Sequence, residues 1–548
     1  MNKKTLFLIC TCLLAINLQA TVRYVTTDGT ATAADATSWT TACSDLQAVI
    51  DISEANDEIW VAAGTYKPKY KIADTDFSDN PTTDRDRAFI LKKDVKIYGS
   101  FEGMETMLKQ RQLSDSGNYT SILSGDFDGN DGADVINMGE NAHHVVISIG
   151  NVGTACLDGF TITGGNANGY GSIHVKGEFI SRGHGGGIFN TKSSPVLTNI
   201  NINGNAASFG GGIYSNRLSS LVLTNVIISG NRAEYSGGGM SNGGGSPVLT
   251  NVIISKNMAI GQDGGGMSNG GDSSPILTNV IISENTAPEG GGISNYNSPV
   301  ILTNVIISRN RAGQGGGVLN CGPHASPVFT NVSICGNIAG AGGGMYNKES
   351  SFPEICNSII WGNGNDSNNV NNNNSAPIYR YSLIEGIKIG GVVLEDENPL
   401  FVDAANGDFR LQAGSPCIDA GNNEIYLLVR QLSNFDEEKD LAGKPRLYGN
   451  NIDLGAYEYQ GEPLSTKTLS EPNKNKIYLD ATNQVIVIDA TLQNQLITFE
   501  LIDLQGNIIL KKANVGESIS IAYLPSGIYL CRVLQNGRII YSDKILKK

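Results

Sequence analysis

Residues 247–286 read PVLTNVIISKNMAIGQDGGGMSNGGDSSPILTNVIISENT, and they decide the fold. An apolar run ending in Asn257 is followed by a glycine triplet at Gly264 and then by a second copy of the run. Short β-branched runs bounded by Gly, Asn and Ser are typical of strands joined by tight turns. Since this spacing leaves no room for a helix, the stretch predicts one coil of a β-solenoid.

The unit recurs along the middle of the chain. Glycine triplets, each followed by an apolar residue and then Asn, begin at Gly185, Gly210, Gly237, Gly264, Gly290, Gly315 and Gly342, at intervals of 25 to 27 residues. A fixed period of this length is the sequence signature of a repeat architecture. Each unit would pair in parallel with the next at about 4.8 Å, so like residues stack on like.

Two predicted columns of asparagine follow from this stacking. The outer asparagine column is Asn199, Asn225, Asn251, Asn279, Asn304, Asn331 and Asn357, and the inner asparagine column is Asn205, Asn231, Asn257, Asn285, Asn310, Asn337 and Asn363. Asparagine tolerates left-handed corners, and stacked amides form hydrogen-bonded ladders. The structural interpretation is therefore favoured, with ligand contact by the amides as the alternative.

An aliphatic stripe is predicted on the outer surface. Alternation in the first copy points Ile200 and Ile202 inward, which turns Ile227, Ile253, Ile281 and Ile306 of later copies outward. An exposed stripe of this kind marks a contact surface. The other interpretation, which we prefer, is that flanking chain covers it.

The repeats resemble the pectin-lyase-like right-handed parallel β-helix superfamily. The triplet, the apolar residue and the later asparagine also resemble the repeats of polymorphic outer membrane adhesins. The resemblance covers residues 150–365 and implies a fold more than an activity.

The flanks predict the remaining domains. Residues 1–20, with Lys3, Lys4 and an apolar run, are typical of a signal peptide. Residues 21–149 would start the solenoid, with a helical turn near 44–55 as its cap. Residues 363–374 read as a loop or linker, and 366–462 would close the solenoid. Within that closing part, residues 398–459 resemble the choice-of-anchor segment of surface proteins. A linker is predicted at 463–475.

Residues 476–548 predict a small antiparallel β-sandwich, with hairpin turns at Gln505–Asn507 and Asn536–Gly537. The DLQGN, LPSGIYL and terminal KILKK stretches resemble the type IX secretion C-terminal sorting domain. That resemblance implies the type IX machinery as a partner and delivery to the outer membrane surface or the extracellular space. A generic binding sandwich is the alternative.

Composition narrows the partners. The net charge of −14 disfavours nucleic acid. No apolar run after residue 20 is long enough for a transmembrane segment. The odd, scattered cysteines predict no disulfide framework, and no cofactor motif is present.

Candidate chemistry is sparse. Asp263 and Glu289 precede glycine triplets one coil apart and could form a catalytic carboxylate pair; the alternative is a solvated loop. Asp126, Asp128 and Asn130 follow the opening of a calcium loop, which Asp134 could join. Asp131 and Asn137 depart from that pattern, and an Asx-rich turn is the alternative.

The sequence therefore predicts an exported, all-β surface protein: a right-handed parallel β-helix followed by a small antiparallel sandwich. The favoured function is a non-catalytic adhesin or glycan-binding solenoid that contacts a polysaccharide or host glycan. A polysaccharide lyase or glycoside hydrolase on the same scaffold is the alternative, and Ca²⁺ is the one cofactor for which ligands are offered.

Overall fold

A computed structural model describes residues 20–72, 82–113, 120–132, 135–216, 218–364, 369–387, 394, 396–461, 477–480, 485–488, 497–503, 508–513, 518–525, 527–535 and 538–547. The chain divides into two compact units, Met1–Tyr459 and Gln460–Lys548. The predicted signal peptide lies outside the described residues except for Ala20, and so do both predicted hairpin turns. Among the described residues, no helix is long and apolar enough to cross a membrane.

The first unit is a parallel β-solenoid, in which the largest sheet collects one or two strands from each coil. The strands of this sheet are Val22–Val25, Glu58–Ala62, Gly64–Tyr66, Lys96–Phe101, Ser121–Ser124, Cys156–Thr163, Val196–Asn203, Val222–Ser229, Val248–Thr250, Ile253–Ser255, Ile276–Ser283, Ile301–Ser308, Val328–Cys335, Glu354–Cys356, Ile359–Trp361, Ile378–Arg380 and Leu383–Ile384.

A second parallel sheet comes from the strands that follow the glycine triplets and their equivalents in neighbouring coils. Its strands are Phe89–Ile90, Val146–Ile149, Ile188–Thr191, Ile213–Asn216, Met240–Gly243, Met267–Gly270, Ile293–Tyr296, Val318–Cys321, Met345–Lys348 and Val370–Asn373. Shorter parallel strands lie between the two sheets, at Asn166–Ala167, Ala206–Phe209, Arg232–Ser236, Met258–Ala259, Arg311–Gln314 and Ile338–Ala341.

The strand register matches the sequence repeat. Ile228 pairs with Ile254, and Ile254 pairs with Ile282, each one coil further along the solenoid. These inward side chains are fully buried and form a continuous core with Leu249 and Met267. Stacked identical side chains thus bury an apolar column at every coil, which confirms the predicted all-β solenoid.

Tight corners explain the glycine triplets and the outer asparagine column. The first glycine of each triplet has a positive φ, and at Gly264 (φ +64°) a Cβ would lie 2.6 Å from the Met267 carbonyl oxygen. The seven outer asparagines have φ between 49° and 56°. Both residue types are placed where other side chains would be strained.

The inner asparagine column forms a buried ladder. In each of its six steps, Nδ2 of one asparagine donates to Oδ1 of the next at 2.8–3.0 Å, and the backbone N–H of the first donates to the same oxygen. All seven side chains are at most 1% exposed. The ladder therefore satisfies the polar atoms that the turns bury.

The amino-terminal end is closed by helix α1, Leu46–Ile52, where the helical turn was expected. Its Leu46, Val49 and Ile50 side chains join the solenoid core. The other helix, α2, is Asn423–Arg430. Short 3₁₀ turns and antiparallel hairpins complete the unit: Ala33–Asp35, Trp39–Thr41, Asp84–Asp86, Leu108–Gln110 and Ala404–Asn406 are the turns, and Ser172–Val175 with Glu178–Ser181 and Phe401–Asp403 with Asp408–Leu411 are the hairpins.

One stretch differs from expectation. Residues 363–374, predicted as a loop or linker, contain the strand Val370–Asn373, which pairs with Met345–Lys348 and extends the second sheet by one coil. Asn347 Nδ2 donates to Asn372 Oδ1 at 2.7 Å, so the asparagine-rich composition reflects a further ladder step rather than a solvated loop. Residues 396–459, here called the covering segment, lie on the outer face of the largest sheet.

The second unit is antiparallel throughout its described strands. One sheet contains Ile477–Asp480, Val485–Ile488 and Ser518–Ser520, and the other contains Ile497–Ile502, Ile508–Ala513, Gly527–Gln535 and Arg538–Lys547. Phe499, Leu501 and Val533 lie in its core. Near the carboxyl end, the buried Lys547 Nζ donates to the carbonyls of Ile521 and Ala522 at 2.7 and 2.9 Å.

Candidate binding cleft in the amino-terminal coils

The repeats present few carboxylates that are available for catalysis. Asp263 and Glu289 do lie opposite each other on neighbouring coils. However, Asp263 accepts a hydrogen bond from Ser268 at 2.9 Å, and Glu289 forms an ion pair with Lys348 at 2.9 Å. Each carboxylate therefore has its own partner, and an acid paired with a base is a poorer catalytic pair than two carboxylates sharing one proton.

The predicted isoleucine stripe is divided between two environments. Ile306 is 3% exposed and packs beneath the covering segment with Phe409 and Leu454, and Ile281 is partly buried at the edge of the same cluster. Ile253 is 37% exposed and Ile227 is partly buried. Flanking chain therefore covers the later coils, while the earlier coils keep an open aliphatic strip.

The outer asparagine column gains partners at this boundary, while Asn304 and Asn357 keep their hydrogen bonds to the preceding asparagine of the column. Asn304 Nδ2 donates to the Lys439 carbonyl at 3.0 Å, Asn331 Nδ2 to the Asp453 carbonyl at 2.7 Å and Asn357 Nδ2 to the Asn422 carbonyl at 3.0 Å. In earlier coils the amides bond to one another, as in the 3.2 Å contact between Asn251 Nδ2 and Asn225 Oδ1. The amides thus hold the covering segment, a use that sequence reasoning missed.

A cleft of about 490 Å³ lies in the first coils, beside α1. Its cationic side chains are Lys67, Lys69 and Arg87, and Asp45 is the one carboxylate in its lining. Hydroxyl and aromatic groups complete it: Thr27, Ser44, Thr65, Tyr66, Phe89 and Phe127. In a chain of net charge −14, this excess of positive charge distinguishes the cleft.

The local sequence explains why the three cations meet. Lys67 and Lys69 follow the strand Gly64–Tyr66, and Arg87 lies between the Asp84–Asp86 turn and the strand Phe89–Ile90. The Arg87 guanidinium lies 5.0 Å from the centre of the Phe127 ring and 3.2 Å from Asp84. The three cations belong to one coil but are about twenty residues apart, and Thr27 and Phe127 of the lining come from the neighbouring coils, so no single stretch of sequence shows the cleft.

Two of the cations donate hydrogen bonds to carbonyl oxygens, which positions their ammonium groups in the cleft. Lys67 Nζ donates to the Phe127 carbonyl at 3.1 Å, and Lys69 Nζ donates to the Ser44 carbonyl at 3.4 Å. Asp45 forms an ion pair with Lys69 at 3.7 Å, caps α1 through the Ala48 N–H and accepts a hydrogen bond from Tyr70 at 2.6 Å. The cleft can therefore attract an anionic ligand.

The predicted calcium loop folds differently from the sequence pattern. Asp126 accepts backbone N–H groups of Gly129, Asn130 and Asp131, which forms an Asx-rich turn. Although burial opposes it, these bonds lower the pKa of Asp126. Asp128 and Asn130 are exposed, and Asp134 lies outside the described residues. The carboxylates that approach Asp126 are those of Asp131 and Glu140.

The cysteines and histidines of the described chain have structural environments. Outside any disulfide are Cys43, Cys156, Cys321, Cys335, Cys356, Cys417 and Cys531, and all except Cys156 are buried. Burial lowers the pKa of His143 to about 3 and of His144 to about 4, so both rings are neutral at pH 7.

Comparisons with known proteins bear on the two units separately. Residues 471–548 match the family of the secretion system C-terminal sorting domain. The crystal structure of pectate lyase Pel9A is similar to 81% of this chain and 97% of its own, with 13% sequence identity and a TM-score of 0.49. No curated protein matches the sequence. The carboxyl-terminal unit is a type IX secretion sorting domain, and the chain is an exported β-solenoid protein destined for the cell surface or the extracellular space.

Proposed function

We propose that this protein is a non-catalytic, surface-exposed adhesin that binds an acidic polysaccharide or host glycan in the cleft of its amino-terminal coils. The observation that carries the proposal is the convergence of Lys67, Lys69 and Arg87 on one cleft in an acidic chain. Cations held on a concave surface concentrate the local positive potential and attract carboxylate or sulfate groups. The hydroxyls of Thr27 and Thr65 offer hydrogen bonds to sugar hydroxyls.

In this proposal the cleft is the binding site, and the repeats and the covering segment are its scaffold. In the repeats, ladder hydrogen bonds engage the amides of the inner asparagine column. The cations of the cleft, in contrast, retain N–H donors for a ligand. The sorting unit, Gln460–Lys548, is the part that we propose is handled by the type IX machinery.

Titration of the purified, exported protein with an acidic oligosaccharide such as oligogalacturonate tests the ligand class. We expect binding that weakens as salt is raised, because exposed charges are screened. A neutral oligosaccharide of the same length is the matched control and should bind at least tenfold more weakly. Equal binding of the two sugars, or no binding of any acidic sugar in a panel, would contradict the proposal.

A polysaccharide lyase is the second candidate, and one observation favours it. Lys67 lines the cleft and contacts the carbonyl of Phe127, the residue next to the carboxylate Asp126. Such enzymes need acidic ligands for a cation and a basic residue that accepts a proton from the sugar. Ultraviolet absorbance of unsaturated ends, followed during incubation with acidic polysaccharides, separates the candidates: a steady rise supports the lyase, and binding without a rise supports the adhesin.

The sorting role has its own test. Deletion of residues 466–548 should leave the protein in the periplasm, because the sorting domain directs passage across the outer membrane. Fractionation of cells that express the full-length and truncated forms measures this. Truncated protein at the cell surface would show that another segment carries the signal.

A further inference from the structure

Three acidic side chains meet where the loop after the strand Ser121–Ser124 approaches Glu140. One carboxylate oxygen from each of Asp126, Asp131 and Glu140 lies within 4.8 Å of the other two. Oxygen ligands bind Ca²⁺ at about 2.3–2.6 Å, so two ligands of one ion lie at most roughly 5 Å apart. The three oxygens therefore have the spacing that a single divalent cation requires.

A second observation comes from a neutral side chain beside the acids. Asn141 is fully buried, and its Nδ2 donates to Asp131 Oδ2 and to the Gly164 carbonyl, both at 2.8 Å. Its Oδ1 is buried and has no hydrogen-bond donor among the described residues. The same is true of Asp131 Oδ1 and Glu140 Oε1. A buried acceptor without a partner is destabilising, and a bound cation would satisfy it.

The nearby basic side chains leave these oxygens available. Lys67 Nζ donates to the Phe127 carbonyl at 3.1 Å, and Arg85 Nε donates to the Asn141 carbonyl at 2.7 Å. In the described part of the chain, no Lys, Arg or His forms an ion pair within 4 Å of the three carboxylates. Burial raises the pKa of Asp131, and the charges of Asp126 and Glu140 raise it further.

We propose that Asp126, Asp131 and Glu140 bind one divalent cation, with the unpartnered oxygen of Asn141 beside them, and that their all-oxygen ligand set selects Ca²⁺. Hard cations take carboxylate and amide oxygens, and Ca²⁺ tolerates the irregular geometry of a loop. The ion would tie the Asp126–Asp131 turn to Glu140, next to the cleft wall formed by Phe127. This site is independent of whether the cleft binds a glycan.

The test is calorimetric titration of chelator-treated, full exported protein with CaCl₂. We expect one site in the range of extracellular calcium modules, with a Kd of about 10⁻⁴–10⁻³ M. Asp131→Asn should weaken binding at least tenfold. Absence of any calcium-binding heat in the unmodified protein would overturn the proposal.

Asp128→Asn is the matched control, since Asp128 belongs to the sequence pattern but is exposed on the same loop. It should leave the Kd unchanged. Loss of binding in Asp128→Asn with retention in Asp131→Asn would overturn the ligand set. Thermal unfolding without calcium shows whether each variant is folded: Asp131→Asn relieves like-charge repulsion and should unfold no lower than the unmodified protein. Addition of CaCl₂ should raise the unfolding temperature of Asp128→Asn but not that of Asp131→Asn.

Discussion

The repeat coils and the amino-terminal coils share one architecture but treat their polar groups in opposite ways. In the repeats, the asparagines of the inner column donate to the identical residue of the next coil, as Asn257 does to Asn285 at 3.0 Å. In the amino-terminal coils, Asn141 Oδ1 and His144 Nε2 are buried without a partner, and Lys67 and Lys69 line a cleft. Repetition supplies the inner column with partners, whereas the irregular coils have no such column to pair their polar side chains.

The largest effect should come from breaking the inner asparagine column. Asn285→Ala removes the acceptor of Asn257 and the donor to Asn310 and Ile254, so several buried polar atoms lose partners. We expect a loss of about 2–4 kcal/mol in the free energy of unfolding, measured by denaturant titration.

Asn225→Gly is the control for this change. It removes an amide of the exposed outer column while keeping the positive φ of 55° accessible. It should cost less than about 1 kcal/mol. If the two variants lose equal stability, the ladder is not what holds the coils together.

A smaller effect on the free energy of unfolding should appear when the pH is lowered, and it should arise in the amino-terminal coils. Burial lowers the pKa of His144 from 6.5 to about 4, so the folded state favours the neutral ring. The resulting stability is complete above pH 6.5 and is lost as pH falls from 6.5 toward 4. Between pH 7 and pH 5 this group should contribute a loss of about 1–2 kcal/mol.

The variant His144→Gln cannot take up a proton and should lose less stability over the same pH interval. His324→Gln, in an exposed turn of the repeats, is the matched control and should keep the pH dependence of the unmodified protein. Thermal unfolding at pH 5 and pH 7 measures both. An unchanged pH dependence in His144→Gln would show that this ring is not the group that titrates.

The smallest effect is expected at the carboxylate pair of the repeats. The double variant Asp263→Asn/Glu289→Gln alters one hydrogen bond to Ser268 and one partly exposed ion pair with Lys348. Exposed pairs of this kind contribute about 0–1 kcal/mol, so the unfolding temperature should shift little. A rise of several degrees would instead indicate that the two acids repel each other and share a proton.

The sequence predicted the repeat coils nearly to the residue because identical side chains stack. The inner ladder, the left-handed outer asparagines and the burial of Ile200 and Ile202 all follow from the period. Coverage of Ile306 was the preferred alternative, but the partners of Asn304 and Asn331 could not be foreseen, because Lys439 and Asp453 are distant in sequence.

The cleft escaped sequence analysis for the same physical reason. Lys67, Lys69 and Arg87 come from coils without a repeat, so no column indicates that they converge. The calcium pattern pointed to the loop that contributes Asp126 to the acidic cluster. Asp128 is exposed and is not part of the cluster, which Asp131 and Glu140 complete. The signal in the sequence that could have found the cleft was the local excess of basic residues in an acidic chain.

The central claim is that ligand binding resides in the irregular amino-terminal coils and not in the repeats. The most direct measurement is the affinity for an acidic oligosaccharide of two charge-matched double variants. Lys69→Gln/Arg87→Gln removes two cations from the cleft, and Lys256→Gln/Arg311→Gln removes two exposed cations from the repeats. Since a charge-assisted hydrogen bond contributes about 1.5–3 kcal/mol, the cleft variant should bind at least tenfold more weakly and the repeat variant should bind as the unmodified protein does. Loss of binding in the repeat variant with full binding in the cleft variant would contradict the account.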